Sequence, residues 1–301
     1  MKKKIYLYLC GGLGNQLFQY AAARNLAIKN NAKLIIDIST GFILDIRDRR
    51  KFSLNLNLKK ITNVFFKKNI INFWIFIFIK KIFKLKKVFN DFYFFLLINE
   101  MLINYYQKKI KNFNINKSLY LFGYFQSEKY FYENKDLITK ELMPTTPKDK
   151  IFLEIKKKIK KKNAISIGVR MYEDLPSNIH YKFGGLTPLN FYKNAIRLIC
   201  NKITDPTFFL FSTKNSNVEK LFLEIPQLKN YKNYFITEEN NFKGAKKNLW
   251  LMSHCRNHII SNSSLYWWGA YFSSLRYNSQ TIICSSNFIN RDTCPISWKV
   301  I

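Results

Sequence analysis

The chain has 301 residues, enough for a sizeable core and for two α/β halves. Hydrophobic residues make up 48% of it, which excludes a disordered chain. The formal net charge is +31, from 50 Lys+Arg against 19 Asp+Glu; it favours anionic partners, although lysines scattered beside Asn, Ile and Phe are also what coding bias produces.

Lys4 to Leu9 reads as a buried strand. Gly11, Gly12 and Gly14 make a tight turn, and Asn15 to Lys29 reads as a helix with Leu17, Tyr20, Ala21, Arg24 and Ile28 at helical offsets. Lys33 to Ile38 is the next strand, completing a βαβ opening of the Rossmann type. Residues 1 to 10 hold three lysines and a six-residue apolar run before the glycine turn, so neither a signal peptide nor an anchor is expected. Residues 61 to 140 are dominated by Phe, Ile, Tyr and Lys without a clean period, and irregular helices are expected there. The longest apolar run, Phe73 to Ile79, is far too short to span a bilayer. With Phe92 to Ile98, and flanked by lysines, it is a candidate for a membrane surface, although plain core is the commoner use of such runs.

Met143 to Lys150, with Pro144 and Pro147, reads as a linker. Two domains are therefore expected, 1–147 and 148–301. Ile151 to Lys162 is a basic helix with a solvated lysine face. Ala164 to Val169 is a strand, and Pro188 to Cys200 a helix with Thr187 as cap and Pro188 at its first position. Thr207 to Phe211 (strand), Ser216 to Glu224 (helix) and Tyr234 to Ile236 (strand) follow. Leu249, Met252 and Cys255 recur at helical spacing, and His258 to Ile260 is a short strand. Asn262, Ser263 and Ser264 are good caps for a helix with the body Leu265 to Phe272. Thr281 to Cys284 closes the series. Alternation at this pace predicts parallel sheets flanked by helices, an α/β fold of two Rossmann-like domains facing a cleft, with ligands at the carboxyl ends of the strands.

Three places carry chemistry. In Gly11-Gly12-Leu13-Gly14-Asn15-Gln16 a backbone can approach a ligand closely. Read as GxGxxG it fails, because Leu17 holds the third glycine's place. Asp37 sits near where a ribose-binding acid would stand, so support for a dinucleotide site is weak. Asn15 and Gln16 suit a sugar or a phosphate, or simple capping. In the second place a strand delivers Arg170, whose guanidinium can fork onto a diphosphate. Glu173 or Asp174 could take a proton from an acceptor hydroxyl; the plain alternative is a surface ion pair. In the third, Asn262, Ser263 and Ser264 stand at a helix N-terminus, where free N–H groups and the helix dipole favour phosphate.

Other residue types are read more plainly. His254 and His258 are four apart as in HExxH, but Cys255 holds the glutamate's place, and no metal is expected. Trp267 and Trp268 are expected in the core rather than stacked on sugar. The five cysteines are odd in number and form no CxxC, so no disulfide framework is expected and a reduced, cytosolic setting fits. No nucleic-acid module is visible, so no specific nucleic acid is expected.

Gly11 to Ala21 reads GGLGNQLFQYA, and Leu251 to Phe272 reads LMSHCRNHIISNSSLYWWGAYF. Both blocks resemble the α-1,2-fucosyltransferases of glycosyltransferase family 11, which open with a GGLGNQLFQYA-type turn-helix and carry a late block close to LMS-C-HHIIANSTFSWWGA-L. The resemblance runs from Gly11 to the C-terminus and is poorest over 61–120. The middle motif departs from the family's HxRRxD: Gly168 replaces the histidine, Arg170 keeps the first arginine, Met171 replaces the second, and Glu173 takes the acid's place.

The resemblance implies a GT-B-like fold, with GDP-fucose held by the C-terminal half and a galactose-terminated surface glycan met by the N-terminal half. Transfer to the galactoside 2-hydroxyl would invert the anomeric centre without a metal or any cofactor beyond the donor. Negative charge building on the β-phosphate would then fall to cationic and N–H groups. On this reading Arg170, Glu173, Asp174 and Asn15 are catalytic. Gly12, Gly14, Gln16, Ser212, Thr213, Asn262, Ser263 and Ser264 bind the donor. The expected place is the cytoplasm, with peripheral contact at the anionic inner face of a membrane where lipopolysaccharide is built. Two rivals stand beside it: another nucleotide-sugar donor, suggested by the altered middle motif, and a basic, non-enzymatic binder of membrane or nucleic acid, supported by charge alone.

Overall fold

The computed structural model describes residues 3–46, 49–54, 61–83, 87–91, 95–160, 163–170, 184–212 and 216–301. The chain divides into two compact units, Met1–Met143 and Pro144–Ile301.

In the first unit the order is β1 (Lys4–Tyr8), α1 (Leu13–Lys29), β2 (Lys33–Asp37), α2 (Thr40–Ile43), β3 (Val64–Lys67) and α3 (Ile71–Phe83). Then come β4 (Phe89–Asp91), β5 (Phe95–Asn99), α4 (Lys108–Lys111), β6 (Ser118–Phe122) and α5 (Lys135–Leu142). The strands form one sheet, β3-β2-β1-β6-β5-β4, parallel except for β4 against β5. Four of its six strands, β3 to β6, lie within 61–140, which corrects the expectation of irregular helices there. A strand covered on both faces shows an unbroken apolar run, which periodicity cannot tell from a buried helix. Leu96, Leu97 and Ile98 are such core residues, as is Phe73 of α3. Glu141 of α5 fastens to α1 by a buried ion pair with Arg24 (2.9 Å) and a bond from Tyr20 Oη (2.5 Å).

In the second unit the order is α6 (Lys150–Lys160), β7 (Asn163–Val169), α7 (Leu189–Cys200), β8 (Pro206–Ser212), α8 (Ser216–Glu224) and β9 (Lys232–Ile236). Then come α9 (Ala245–Met252), β10 (Asn257–Ile260), α10 (Ser264–Ser274), β11 (Ile282–Cys284) and β12 (Lys299–Val300). All strands are parallel, in the order β12-β11-β10-β7-β8-β9. Helix α7 begins at Leu189, and Pro188 stands before it in extended conformation, one place earlier than expected. Thr187 does not cap this helix; its hydroxyl goes to Asn262. Trp267 and Trp268 are fully buried, and Trp267 stacks on Tyr271 with centroids 4.6 Å apart.

One expectation from the cysteines is corrected: Cys284, at the end of β11, is disulfide-bonded to Cys294. The return of the chain toward β12 brings the two together, which their spacing gives no hint of. Among the described residues no helix is long and apolar enough to cross a membrane.

Candidate active site

The sheet of the second unit reverses its order between β7 and β10, with β8 and β9 added on one side and β11 and β12 on the other. Ligands of open parallel sheets bind beyond the carboxyl ends of the strands at such a reversal. Gly168 pairs with Ile260, so the segments leaving β7 and β10 start side by side. The first leads to Arg170, half-buried, whose backbone N–H donates to Tyr192 Oη over 3.3 Å. The second leads to α10. Ser263 takes the N-cap position with extended backbone, and its hydroxyl bonds none of its own helix's N–H groups. The first N–H groups of α10 have no carbonyl four residues back, so the helix's positive end lies at the reversal. Ser264 is half-buried, and Ser261 Oγ, buried under the same turn, has no hydrogen-bond partner among the described residues. Ser212 ends β8 and is buried. Glu173, Asp174 and Thr213 lie outside the described residues.

Asn262 has a different place from the one expected. Its Nδ2 donates to Gly185 O (3.1 Å) and Asn287 O (3.4 Å), and its Oδ1 accepts from Thr187 Oγ1 (3.0 Å). With the amide spent on protein, Asn262 braces the 184–188 loop and is corrected from donor ligand to support.

The altered middle motif has a steric counterpart. A Cβ on Gly168 would run into the Tyr266 ring. Tyr266 Oη lies 2.9 Å from Val169 O and 3.2 Å from Phe211 O, donating at the ends of β7 and β8. Tyr266 holds the place of a serine in the resembled late block, just as Gly168 holds that of a histidine. Space surrendered in one strand is filled from the helix beside it. Taken together, the two departures were the available signal for Tyr266, and the sequence reading missed it.

The histidines are structural. His254 Nδ1 meets Trp250 O at 2.7 Å, and burial pulls its pKa down to about 4. His258 Nε2 meets Cys255 O at 3.0 Å, and full burial pulls it down to about 3. Both are neutral at pH 7.

The sheet of the first unit reverses between β1 and β6. After β1, Gly11 has φ +76°, a conformation that favours glycine. Gly12 begins α1 with ordinary extended backbone and open space over its Cα, while Gly14 is buried in the first turn. Asn15 Oδ1 accepts from Gln126 Nε2 over 2.8 Å, joining the segments that follow β1 and β6. Gln16 is fully buried; its Nε2 donates to Gly11 O (2.8 Å) and Lys51 O (2.9 Å), and its Oε1 accepts from Ser53 N–H (2.8 Å). It ties the glycine turn to 51–53, which corrects its expected role as a donor ligand. Asp37 accepts from the N–H groups of Ser39, Thr40 and Ile70 and from Thr40 Oγ1 at 2.6 Å, so it organises the loop after β2 and is not available to a ribose.

Glu100 was not foreseen. Its Oε2 accepts from the N–H groups of Tyr124 and Phe125, each at 2.9 Å, and fixes the loop that carries Gln126. Burial pushes its carboxyl up to about 8, against those two bonds. A lone glutamate after an apolar run gives no sequence signal.

Known proteins bear out the family resemblance. The model of the family described as Glycosyl transferase family 11 matches residues 4–293. The chain is 30% identical to an alpha-1,2-colitosyltransferase of Escherichia coli, over 96% of each chain. It is 29% identical to the O-antigen biosynthesis glycosyltransferase WbnK of Escherichia coli, over 90% of each. Among solved structures it resembles the fucosyltransferase NodZ from Bradyrhizobium with a TM-score of 0.51 at 12% identity, over 89% of this chain and 92% of that one. A NodZ α-1,6-fucosyltransferase structure soaked with GDP-fucose gives 0.50 at 12% identity, over 90% and 92%. At that identity the likeness shows the fold, which is GT-B-like with two Rossmann-like units.

Proposed function

The chain belongs to glycosyl transferase family 11, and from that membership we propose that it moves L-fucose from GDP-fucose to the 2-hydroxyl of a galactoside in a surface glycan. It is a glycosyltransferase of the fucosyltransferase type. The observation that carries the finer reading is that the segments leading to Arg170 and to the N-terminus of α10 leave paired neighbouring strands at one reversal of the sheet. On this reading the C-terminal unit holds GDP. The guanidinium of Arg170, the hydroxyls of Ser263 and Ser264 and the first N–H groups of α10 meet the diphosphate. They absorb the charge that builds on the β-phosphate as the glycosidic bond breaks. The anomeric centre becomes oxocarbenium-like, so a weak base suffices for the acceptor hydroxyl, with Glu173 and Asp174 the candidates. Asn15, held by Gln126, orients a substrate hydroxyl. The anomeric centre inverts, and no metal takes part. The work is done at the cytoplasmic face of a membrane on which surface glycans are assembled.

A second reading is favoured by the colitosyltransferase relative: the same transfer with GDP-colitose as donor, a sugar that differs from fucose by one missing hydroxyl. Purified protein, a β-galactoside and each donor in turn, with EDTA present, separate the two by release of GDP. Fucose transfer is expected, with a product linked at O2. Arg170→Ala is expected to lower kcat by about 100-fold or more. Turnover of GDP-colitose alone selects the second reading, and an Arg170→Ala enzyme of normal rate overturns the phosphate role.

A further inference from the structure

In the first unit, the carboxyl ends of β2 and β3 carry an apolar surface with no part in the chemistry above. Ile43, Leu44 and Ile46, at and just after the end of α2, are 56%, 42% and 79% exposed. On α3, Ile71, Ile75 and Phe78 are 70%, 45% and 64% exposed. These last three recur at i, i+4 and i+7, so they form one stripe along one helix face. Phe73 of the same helix is fully buried, edge-on to Tyr8 and Tyr120, which fixes which way the stripe looks.

The loops before the two helices are tied together. Asn69 N–H donates to Ser39 Oγ over 2.7 Å, and Ile70 N–H to Asp37 Oδ2 over 3.1 Å. Both apolar groups therefore belong to one end of the sheet. Single exposed apolar residues need no explanation, but a cluster of them marks an interaction site. The chemistry of the partner follows from charge: the sequence from Lys67 to Lys87 holds seven lysines and no acid. A second copy would set the exposed Lys67 and Lys68 beside this stripe against themselves, with like charges opposed. An anionic lipid leaflet meets both halves of the surface, apolar side chains entering the acyl boundary and lysines reaching the headgroup phosphates.

We propose that the Ile71–Ile75–Phe78 stripe, with Ile43, Leu44 and Ile46 beside it, seats the protein on an anionic membrane surface. That this brings the enzyme to a lipid-carried acceptor rests on the glycosyl-transfer reading; the docking itself does not.

The full chain is mixed with vesicles of phosphatidylcholine alone or with phosphatidylglycerol added, without any sugar nucleotide, so that failure here leaves the transferase reading untouched. Flotation is expected only with the anionic vesicles. Trp74 of α3 is half-buried, whereas Trp250, Trp267, Trp268 and Trp298 are no more than 7% exposed. Lipids brominated in the acyl chain are therefore expected to quench Trp74. Ile71→Ser/Ile75→Ser/Phe78→Ser is expected to weaken binding by roughly tenfold or more, with an unchanged melting curve and unchanged turnover of a soluble acceptor. Ile296→Ser, at an exposed apolar site in the other unit, is the control and leaves binding unchanged. Three results overturn the proposal: no flotation, flotation without quenching (adsorption by charge alone), or a lipid-free dimer that the triple variant abolishes.

Discussion

Gly168 and Tyr266 behave as one unit of volume. Because a Cβ on Gly168 meets the tyrosine ring, Gly168→Ala forces a shift where β7 ends, two residues before Arg170. Overpacking of this kind costs about 1–3 kcal/mol. The same change in a Tyr266→Ser background is expected to cost much less, giving a coupling of about 1 kcal/mol or more in a thermal double-mutant cycle. Additive effects would separate the two positions. The motif strings marked Arg170, Asn15 and Ser263 as worth watching because charged and polar residues at strand ends are read directly. They could not mark the residues that hold these in place. Gln16 and Asn262 look like ligands in sequence, yet burial has given every polar atom of their amides to the protein.

At the scale of elements, the brace around Asn262 links the turn after β10 to the 184–188 loop and to the turn after β11. Asn262→Ala leaves the Thr187 hydroxyl and the Gly185 carbonyl without this partner, a loss of about 1–3 kcal/mol. In a unit of this size that is a fall in Tm of roughly 2–10 °C. Limited proteolysis is expected to open the 184–188 loop first, and an unchanged cleavage pattern would show that the loop stands without the brace. The partners of Asn262 lie 25 to 77 positions away, beyond any local pattern. Elements of the second unit were legible for the opposite reason. Helices such as α7 and α8 bury one face each, so apolar periodicity and turn residues separate them from the strands. In 61–140 the middles of β5 and β6 are apolar on both faces and Gly123 is the single glycine, so period and boundary fade together.

At the scale of the molecule, buried groups in the two units make opposite contributions to the pH dependence of stability. Glu100 in the first keeps its proton to about pH 8 when folded but releases it near 4.5 when unfolded. Between those values the unfolded state binds fewer protons, so the contribution of Glu100 to stability falls as pH rises from 4.5 to 8. In the second unit His254 and His258 stay neutral to about pH 4 and 3, whereas unfolded histidine takes a proton near 6.5. There the unfolded state binds more protons, and stability is lost as pH falls below 6.5. Calorimetry from pH 5 to 8 is expected to show the two contributions moving apart, with Glu100→Gln flattening only the alkaline loss and His258→Gln only the acid one. One shared slope, untouched by either variant, would contradict both assignments.

The reversal of strand order has a last consequence. In the second unit β8 and β9 lie on one flank and β11 and β12 on the other, so each crossover extends the sheet outward from its centre. The outer strands β9 and β12 can therefore shift without moving the middle pair from which the segments to Arg170 and to α10 start.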